Sequence, residues 1–463
     1  MTILPADNVV FPITVPLVII GAGACGLTAA LSAKDAGAEV LVLERDPVPA
    51  GSTALSSGLI PASATRYQSA LGIEDSADIM AHDIQSKAGG DASPAIVDAV
   101  ARASGPSLEW LADRHGLEWV VLDDFLYPGH SRHRMHAVPE KTGSALIGRL
   151  ATATASAGVD ILTSARVSAL YAEPADGRVT GLQITRPDGG REDIGCDALI
   201  LACNGYGGNA QMIRDFIPEM SEADYFGHAG NQGDAVQWGT ALGGAADHLS
   251  ACQGHGSVAT PHGILITWAL MMEGGIQVNL EGRRFSNEHQ GYSEQAVEVL
   301  KQPGGIAWNI YDERLHALGM TFDDYRSARK QGAIRAAQTL EELAQVTALP
   351  LGALSESAGE TQSDAIDRFG RDFSKTPALK PPYRAVKVTG ALFHTQGGLR
   401  IDTDSRVLRK DSSTLPNLFA GGGAACGVSG PRISGYLSGN GLLTAVTLGR
   451  IAGQKAAEMV RPA

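Results

Sequence analysis

The stretch Val15–Glu44, VPLVIIGAGACGLTAALSAKDAGAEVLVLE, decides the fold. Its apolar run Pro16–Ile20 reads as a buried parallel strand. Gly21, Gly23 and Gly26 follow at once in G-x-G-x-x-G spacing, with Ala24 and Cys25 inside the turn. An Ala/Leu-rich helical stretch comes next, then a second apolar strand, Glu39–Leu43, that ends at Glu44. Each part has a physical job. Gly21 permits the tight turn, Gly23 lets the backbone approach a pyrophosphate, and Gly26 lets helix pack close to strand. The helix start presents unpaired N–H groups and a positive dipole end to phosphates. Glu44 stands about 20 residues on, where a carboxylate accepts hydrogen bonds from a ribose diol. The order of strand, turn, helix, strand and acid points to dinucleotide binding in an α/β, Rossmann-like domain. This stretch alone does not choose between NAD and FAD.

The rest of the chain bounds that reading. At 463 residues it is too long for one core, so roughly two or three domains are expected. A chain 44% hydrophobic and 19% charged is globular in composition, and many of its 56 glycines cluster in short runs that suit close approach of backbone to a ligand. A net charge of −13 without a basic run argues against nucleic acid and against an anionic membrane surface. No apolar run reaches the ~20 residues that span a bilayer. The start, MTILPADNVVFPITVP, lacks a basic segment followed by a long apolar one, so no signal peptide is expected. Cys25, Cys196, Cys203, Cys252 and Cys426 are scattered without C-x-x-C spacing. Neither a metal site nor a disulfide framework is expected, and a cytoplasmic location fits.

Outward from Glu44 comes the small-residue loop GSTALSSGLIPAS (51–63), placed to wrap a ligand. Residues 73–119 read as helical, and DDFLYPGHSRHRMHAVP (123–139) is an aromatic, His/Arg-rich loop. Helix resumes over 141–157, and strands follow over 159–185. The strand Asp197–Leu201 runs into a second glycine turn, ACNGYGG (202–208). The character changes near Ser250, residues 315–354 read as polar and helical, and residues 394–402 return to strand. LPNLFAGGGAACGVSG (415–430) is strand and glycine turn, and 438–460 ends in a helix opened by glycines. Its positive end would face a flavin carbonyl.

These motifs, in this order, resemble the flavoproteins that include the soluble fumarate reductases and the 3-ketosteroid dehydrogenases. The resemblance covers nearly the whole chain. It rests on the first turn with Glu44, ALSSG, LACNGYGG, NQGDAV (231–236), EGRRFSNE (281–288), HTQGGLRID (394–402), LFAGGG and SGNGLLTAVTLGRIAG. It implies FAD and a Rossmann-like FAD domain split in sequence, over 1–249 and 394–463. Residues 250–393 would be an inserted α+β substrate-capping domain. Before the ALSSG loop there is no His at which some relatives attach flavin, so FAD is expected to be non-covalent. The resemblance assigns to the cofactor Gly21, Gly23, Ala24, Cys25, Gly26, Glu44, Arg45, Ser52, Thr53, Ser56, Ser57, Gly58 and Val167. It adds Ala202, Asn204, Gly205, Gly207, Asp234, Gly422, Gly441, Leu442 and Leu443.

The chain departs from the fumarate reductases at two places. Those enzymes hold a dicarboxylate with arginines, whose planar fork matches a carboxylate. After the RRF-x-NE motif the aligned residue is Tyr292, and before the last glycine turn it is Tyr436. Tyrosines at these places resemble the ketosteroid dehydrogenases. By that resemblance Tyr292 takes a proton beside a ketone, and Tyr436 with the Gly439 N–H donates to the ketone oxygen. The Tyr436-to-glycine spacing is one residue shorter than in the steroid enzymes. Tyr127 is the candidate for a third, assisting tyrosine.

The chemistry requires these groups. An α-proton leaves only if the enolate oxygen is stabilised, and each aimed donor is typically worth about 10²–10³ in rate. Flavin N5 would accept the β-hydride. A tyrosine base needs its pKa lowered from about 10. What lowers it is open, and His289 is one candidate. His255 and His394 stand where fumarate reductases place substrate-binding histidines, or they serve the core. Arg284 is expected to pair with Glu288. His130, Arg132, His133, Arg134 and His136 form a cationic loop, with Arg134 and Arg432 as candidate contacts for a substrate carboxylate; the alternative is a solvated loop.

The expectation is an FAD-dependent dehydrogenase that desaturates a cyclic ketone at its α,β carbons. The substrate would be a cyclohexanone or an oxo-cyclohexane carboxylate. Electrons would pass to an external acceptor other than NAD: a quinone, an electron-transfer protein or oxygen. The alternatives are a 3-ketosteroid dehydrogenase, a fumarate reductase-like reductase of an activated double bond, and a non-catalytic flavin-binding electron-transfer subunit.

Overall fold

The computed structural model describes residues 2–7 and 9–461. Two compact units share the chain. The first comprises Met1–Ile217, Gly227–Cys252 and His394–Ala463, and the second Pro218–Phe226 and Gln253–Phe393.

In the first unit the described residues form a nine-stranded sheet. Its strands include β1 (Thr2–Pro5), β2 (Ile13–Ile20), β3 (Val40–Leu43), β4 (Asp160–Leu162), β5 (Arg166–Ala172), β6 (Val179–Thr185), β7 (Arg191–Leu201) and β8 (Thr414–Ala420). The order is β1-β5-β6-β7-β2-β3-β4, with β8 also paired to β7 and the short strand Arg406–Leu408 beside β8. Register decides where the loops emerge. Ile20 pairs with Leu43 and with Leu201, and Leu201 with Ala420, all in parallel. The turns that follow β2, β3, β7 and β8 therefore leave one edge of the sheet.

Alternation explains why these strands read as unbroken apolar runs. Leu17 and Ile19 of β2 pack with Leu27 and Leu31 of α1 (Ala24–Asp35). Val18 and Ile20 pack into the opposite core with Met80 and Ile84 of α2 (Ala77–Ala88) and Val97 and Val100 of α3 (Pro94–His115). Helix α1 is buried almost all round and is built of small residues, because α5 (Asn440–Val460) lies against it. A Cβ at Gly453 would stand 2.1 Å from the Ala29 carbonyl oxygen, so backbone meets backbone there. Helix α4 (Asp234–Ala241) belongs to this unit too.

The expected helix over 73–119 is two helices, broken at Gly89-Gly90 and restarted by Pro94 at its first turn. The expected strand over 394–402 is only the end of Tyr383–Thr395 and the pair Gly398–Leu399.

The second unit mixes sheet and helix. Its sheet runs Ile264–Leu265, Cys252–Ala259, Tyr383–Thr395, Ile306–Asp312, Ile276–Val278. Its core gathers Trp268, Ile276, Val278, Ile310, Tyr311, Val386 and Val388. Residues 315–354, expected to be helical, are interrupted by the strand Ile334–Ala337, which pairs with Tyr383–Val386. Residues 218–226, placed by the sequence in the first part, group with this unit because Asp224 and Tyr225 pair with Ala391 and Leu392. Among the described residues no helix is long and apolar enough to cross a membrane.

Candidate active site

In the first unit the glycine turns meet at the sheet edge. Gly21 has φ +106°, and a Cβ there would stand 2.6 Å from the Ala202 carbonyl oxygen. A Cβ at Gly26 would stand 1.8 Å from the Gly21 carbonyl oxygen, so any larger residue breaks the turn. Gly23 is open, with only Thr53 Oγ1 at 3.6 Å from such a Cβ. The buried Glu44 carboxylate accepts from Ala22 N and from Asp46 N, each at 2.9 Å. Thr53 Oγ1 accepts from Ala24 N at 3.0 Å, tying the small-residue loop to the start of α1. Cys25 packs beneath Gly421 and Gly422. Asn204 (φ +65°) accepts from Gly205 N with its own Oδ1 at 2.8 Å. Gly207 is buried, as is Ala202.

Other candidates lie around these turns. Ser52 Oγ accepts from Asn231 Nδ2 at 2.8 Å and from His228 N at 3.1 Å. Arg45 donates to the Gly230 carbonyl at 2.5 Å. Ser56 Oγ donates to the Thr53 carbonyl and accepts from Gly58 N, so it closes its own loop, while Ser57 is exposed. Val167 is buried in β5, paired with Ile184. Leu442 and Leu443 open α5.

Two buried oxygens test whether a cofactor fits. Among the described residues, Asp234 Oδ1 at the start of α4 and Asn440 Oδ1 at the start of α5 have no hydrogen-bond partner. Burial pushes the Asp234 carboxyl up, with Arg45 and Arg166 opposing. Unsatisfied buried acceptors cost about 1–3 kcal/mol each, so they mark places where a ligand supplies donors. Asn440 was not singled out by the sequence; the run Ser438-Gly439-Asn440-Gly441 is its only local signal. With open Gly23 and the helix start beside Glu44, this donor and acceptor set fits an FAD.

The last glycine turn lies in the same unit. Tyr436 is buried, and its ring meets His394 edge-on at 5.6 Å. A Cβ at Gly441 would stand 2.6 Å from His394 Nε2. Burial pushes the Tyr436 phenol well above its ordinary pKa, with the backbone N–H groups of Gly441 and Gly439 working against that. It therefore stays a protonated donor at neutral pH. Gly439 has φ +85°, and a Cβ there would touch Pro61 Cδ at 2.5 Å. Burial pulls His394 down to about 4, so its ring is neutral.

The loop over 123–139 is not the cationic surface expected. Arg134 is fully buried: Nε lies 2.9 Å from Asp75 and Nη1 2.5 Å from Asp83 of α2. Its guanidinium is committed to these carboxylates, so its role as a substrate contact is withdrawn. His130 and His136 are buried, and burial first of all pulls both down to about 4. Tyr127 is partly buried, edge-on to Phe125 at 5.0 Å, and burial with Asp124 pushes it up to about 12. Arg432 is more than half exposed and pairs with Asp91 at 2.7 Å.

In the second unit Tyr292 opens the helix Tyr292–Leu300. Its ring stacks on His255 at 4.8 Å and 18°. His255 meets Trp268 edge-on at 5.8 Å and accepts from Ser257 N at 3.2 Å. Burial pulls His255 down to about 3. His289 donates to the Met271 carbonyl at 3.2 Å, and burial and then Arg371 pull it down to about 4. A neutral His289 brings no positive charge to Tyr292, so that candidate for lowering the phenol pKa is withdrawn. The segment before Tyr292 is anchored by a buried cluster. Arg284 pairs with Glu288 at 2.7 Å, as expected, and with Asp367 at 2.6 Å; Arg371 pairs with Glu288 at 2.8 Å. Arg371 carried no sequence signal, since it stands 83 residues from Glu288.

Comparisons with known proteins agree on the lineage. The FAD binding domain family model matches residues 17–442. A probable fumarate reductase of Shewanella frigidimarina is 30% identical over 96% of this chain and 75% of its own length. The 4-oxocyclohexanecarboxylate 2-dehydrogenase of Sinomonas cyclohexanicum is 24% identical over 89% of the chain and 88% of its own length. Among solved structures, a 3-ketosteroid-Δ4-(5α)-dehydrogenase from Rhodococcus jostii is 25% identical, with a TM-score of 0.80 over 99% of this chain and 100% of that one.

Proposed function

The chain belongs to the FAD binding domain family, as an FAD-dependent oxidoreductase of the fumarate reductase and 3-ketosteroid dehydrogenase kind, and on that premise we propose that it desaturates a small cyclic ketone. The observation that carries the proposal is the neutral donor set at Tyr436. A protonated phenol, the N–H groups of Gly439 and Gly441 and a neutral His394 suit a ketone oxygen that becomes an enolate. They do not suit a dicarboxylate, which calls for guanidinium forks. Arg134 and Arg284, the buried arginines singled out in the sequence, are committed to carboxylates of the chain.

Tyr436 and the Gly439 N–H would bind and polarise the ketone oxygen. Tyr292 would take the α-proton, with the stacked His255 ring fixing the phenol's plane. The cofactor-binding residues would be the glycine turns with Glu44, Thr53, Asp234 and Asn440. Bound non-covalently, FAD would supply the acceptor for the β-hydride. Electrons would then leave to an external acceptor other than NAD. With Arg134 committed to Asp75 and Asp83 and Arg432 at the surface on Asp91, a cyclohexanone is favoured over an oxo-cyclohexane carboxylate.

A second reading, reduction of an activated double bond, is favoured by identity. The relative named a probable fumarate reductase is 30% identical, against 24% for the oxocyclohexanecarboxylate enzyme. An anaerobic panel separates the two. The flavin absorbance should bleach with cyclohexanone, 4-oxocyclohexanecarboxylate or a 3-ketosteroid. If no ketone bleaches it and fumarate reoxidises the reduced enzyme quickly, the desaturase proposal fails. Tyr292→Phe and Tyr436→Phe should each lower turnover by about 10²–10³ with FAD content unchanged.

A further inference from the structure

His130 sits in a buried chain of contacts that leads to the last glycine turn. Its Nε2 lies 2.9 Å from the Ser438 carbonyl oxygen, and its Nδ1 lies 3.3 Å from Arg134 Nη1. The two partners dictate the tautomer. A carbonyl only accepts, so Nε2 carries the proton; a guanidinium only donates, so Nδ1 is bare. Burial and then the Arg134 charge hold the ring neutral, in keeping with that assignment. Arg134 is itself fixed by Asp75 and by Asp83, and Asp83 Oδ2 also accepts from Ser131 N and Oγ, each at 2.8 Å.

The consequence falls on one peptide group. In a trans peptide the C=O and N–H point in opposite directions. Holding the Ser438 oxygen against His130 therefore aims the Gly439 N–H away from His130. That N–H is one of the two amides that act on the Tyr436 phenol. Glycine takes either sign of φ at little cost, so within the turn closed by Asn440 N on the Leu437 carbonyl at 3.0 Å the 438–439 peptide is free to flip, and a contact on the Ser438 oxygen selects the orientation seen at φ +85°. We infer that His130 is the positioning residue of the oxyanion turn: through Ser438 O it fixes the direction of the Gly439 N–H. Only the use made of that N–H rests on the cyclic-ketone proposal; the hold itself does not.

The test uses the FAD-loaded enzyme with cyclohexanone as substrate and phenol as a planar enolate mimic. His130→Leu should lower kcat by about tenfold to a hundredfold and weaken phenol binding similarly, with KM changed by less than about threefold and FAD content unchanged. His130→Gln keeps an N–H that can reach Ser438 O, and should recover most of the loss. In the unaltered enzyme, nitrogen NMR of labelled histidine should show His130 protonated at Nε2 and bare at Nδ1. In His130→Leu the Gly439 amide should exchange faster. An Nδ1-protonated ring, or unchanged kcat, phenol affinity and exchange in His130→Leu, would overturn the inference. If His130→Leu does not fold, the tautomer and the His130→Gln kinetics decide. If the unaltered enzyme turns over no ketone, the proposed function fails, while the tautomer and amide exchange still decide the role of His130.

Discussion

Glu288→Gln should loosen the second unit without touching the first. The Glu288 carboxylate is almost fully buried between the fully buried Arg284 and Arg371. Burial opposes its ionisation. The Arg371 and Arg284 charges and the Gln277 amide outweigh that and hold its pKa at about 2, against an ordinary 4.5. At 1.36 kcal/mol per pH unit the gap corresponds to about 3 kcal/mol of stability. That matches the ~3–5 kcal/mol lost when one partner of a buried pair is removed. Because the folded pKa is depressed, the stabilisation is fully present above about pH 4.5 and is lost as pH falls toward 2. Hydrogen exchange read by mass spectrometry is the assay. Peptides over Ile276–Val278, whose Gln277 amide donates to Glu288 at 3.0 Å, should exchange about 10²-fold faster in the variant at neutral pH. Peptides over Ile13–Ile20 should not change. Between pH 6 and pH 3 the unaltered protein should lose about 2 kcal/mol more than the variant. Equal acceleration in both units, or less than about threefold in 276–278, would refute the idea that this carboxylate anchors the segment before Tyr292.

Gly26→Ala should yield protein depleted of FAD, measured as flavin absorbance per chain, because its Cβ would stand 1.8 Å from the Gly21 oxygen. Glu44→Ala should weaken FAD binding about tenfold to a hundredfold in a titration of stripped enzyme, since hydrogen bonds to a charged group are worth about 1.5–3 kcal/mol. Arg134→Ala should destabilise the fold by about 3–5 kcal/mol in denaturant unfolding, because Asp75 and Asp83 lose a buried partner. Arg432→Ala, exposed on Asp91, should change it by less than about 0.5 kcal/mol.

Local patterns were legible where the chemistry is local. The turn, helix and acid of 15–44 are a contiguous unit, and the pairing of Arg284 with Glu288 is local too, four residues apart in the chain. Helix limits near Gly89-Gly90 and Pro94 could be read only in part, since the long apolar periodicity runs across them. The sequence hides the partners of Arg134, because its neighbours along the chain are basic and aromatic. The two aspartates that neutralise it lie 59 and 51 residues away. Arg371 and Asn440 escaped notice for similar reasons, one paired across 83 residues and the other marked only by an orphaned oxygen.

By itself the sequence determined the cofactor class and the family. Each of these is carried by residue identity at fixed spacing along the chain. The tertiary structure alone decided protonation and commitment. It raised the pKa of the Tyr436 phenol, lowered those of His255, His289 and His394, and committed the charge of Arg134 to Asp75 and Asp83 inside the fold. The physical reason is that burial and partner charges set these properties, and both arise from residues brought together across long sequence separations.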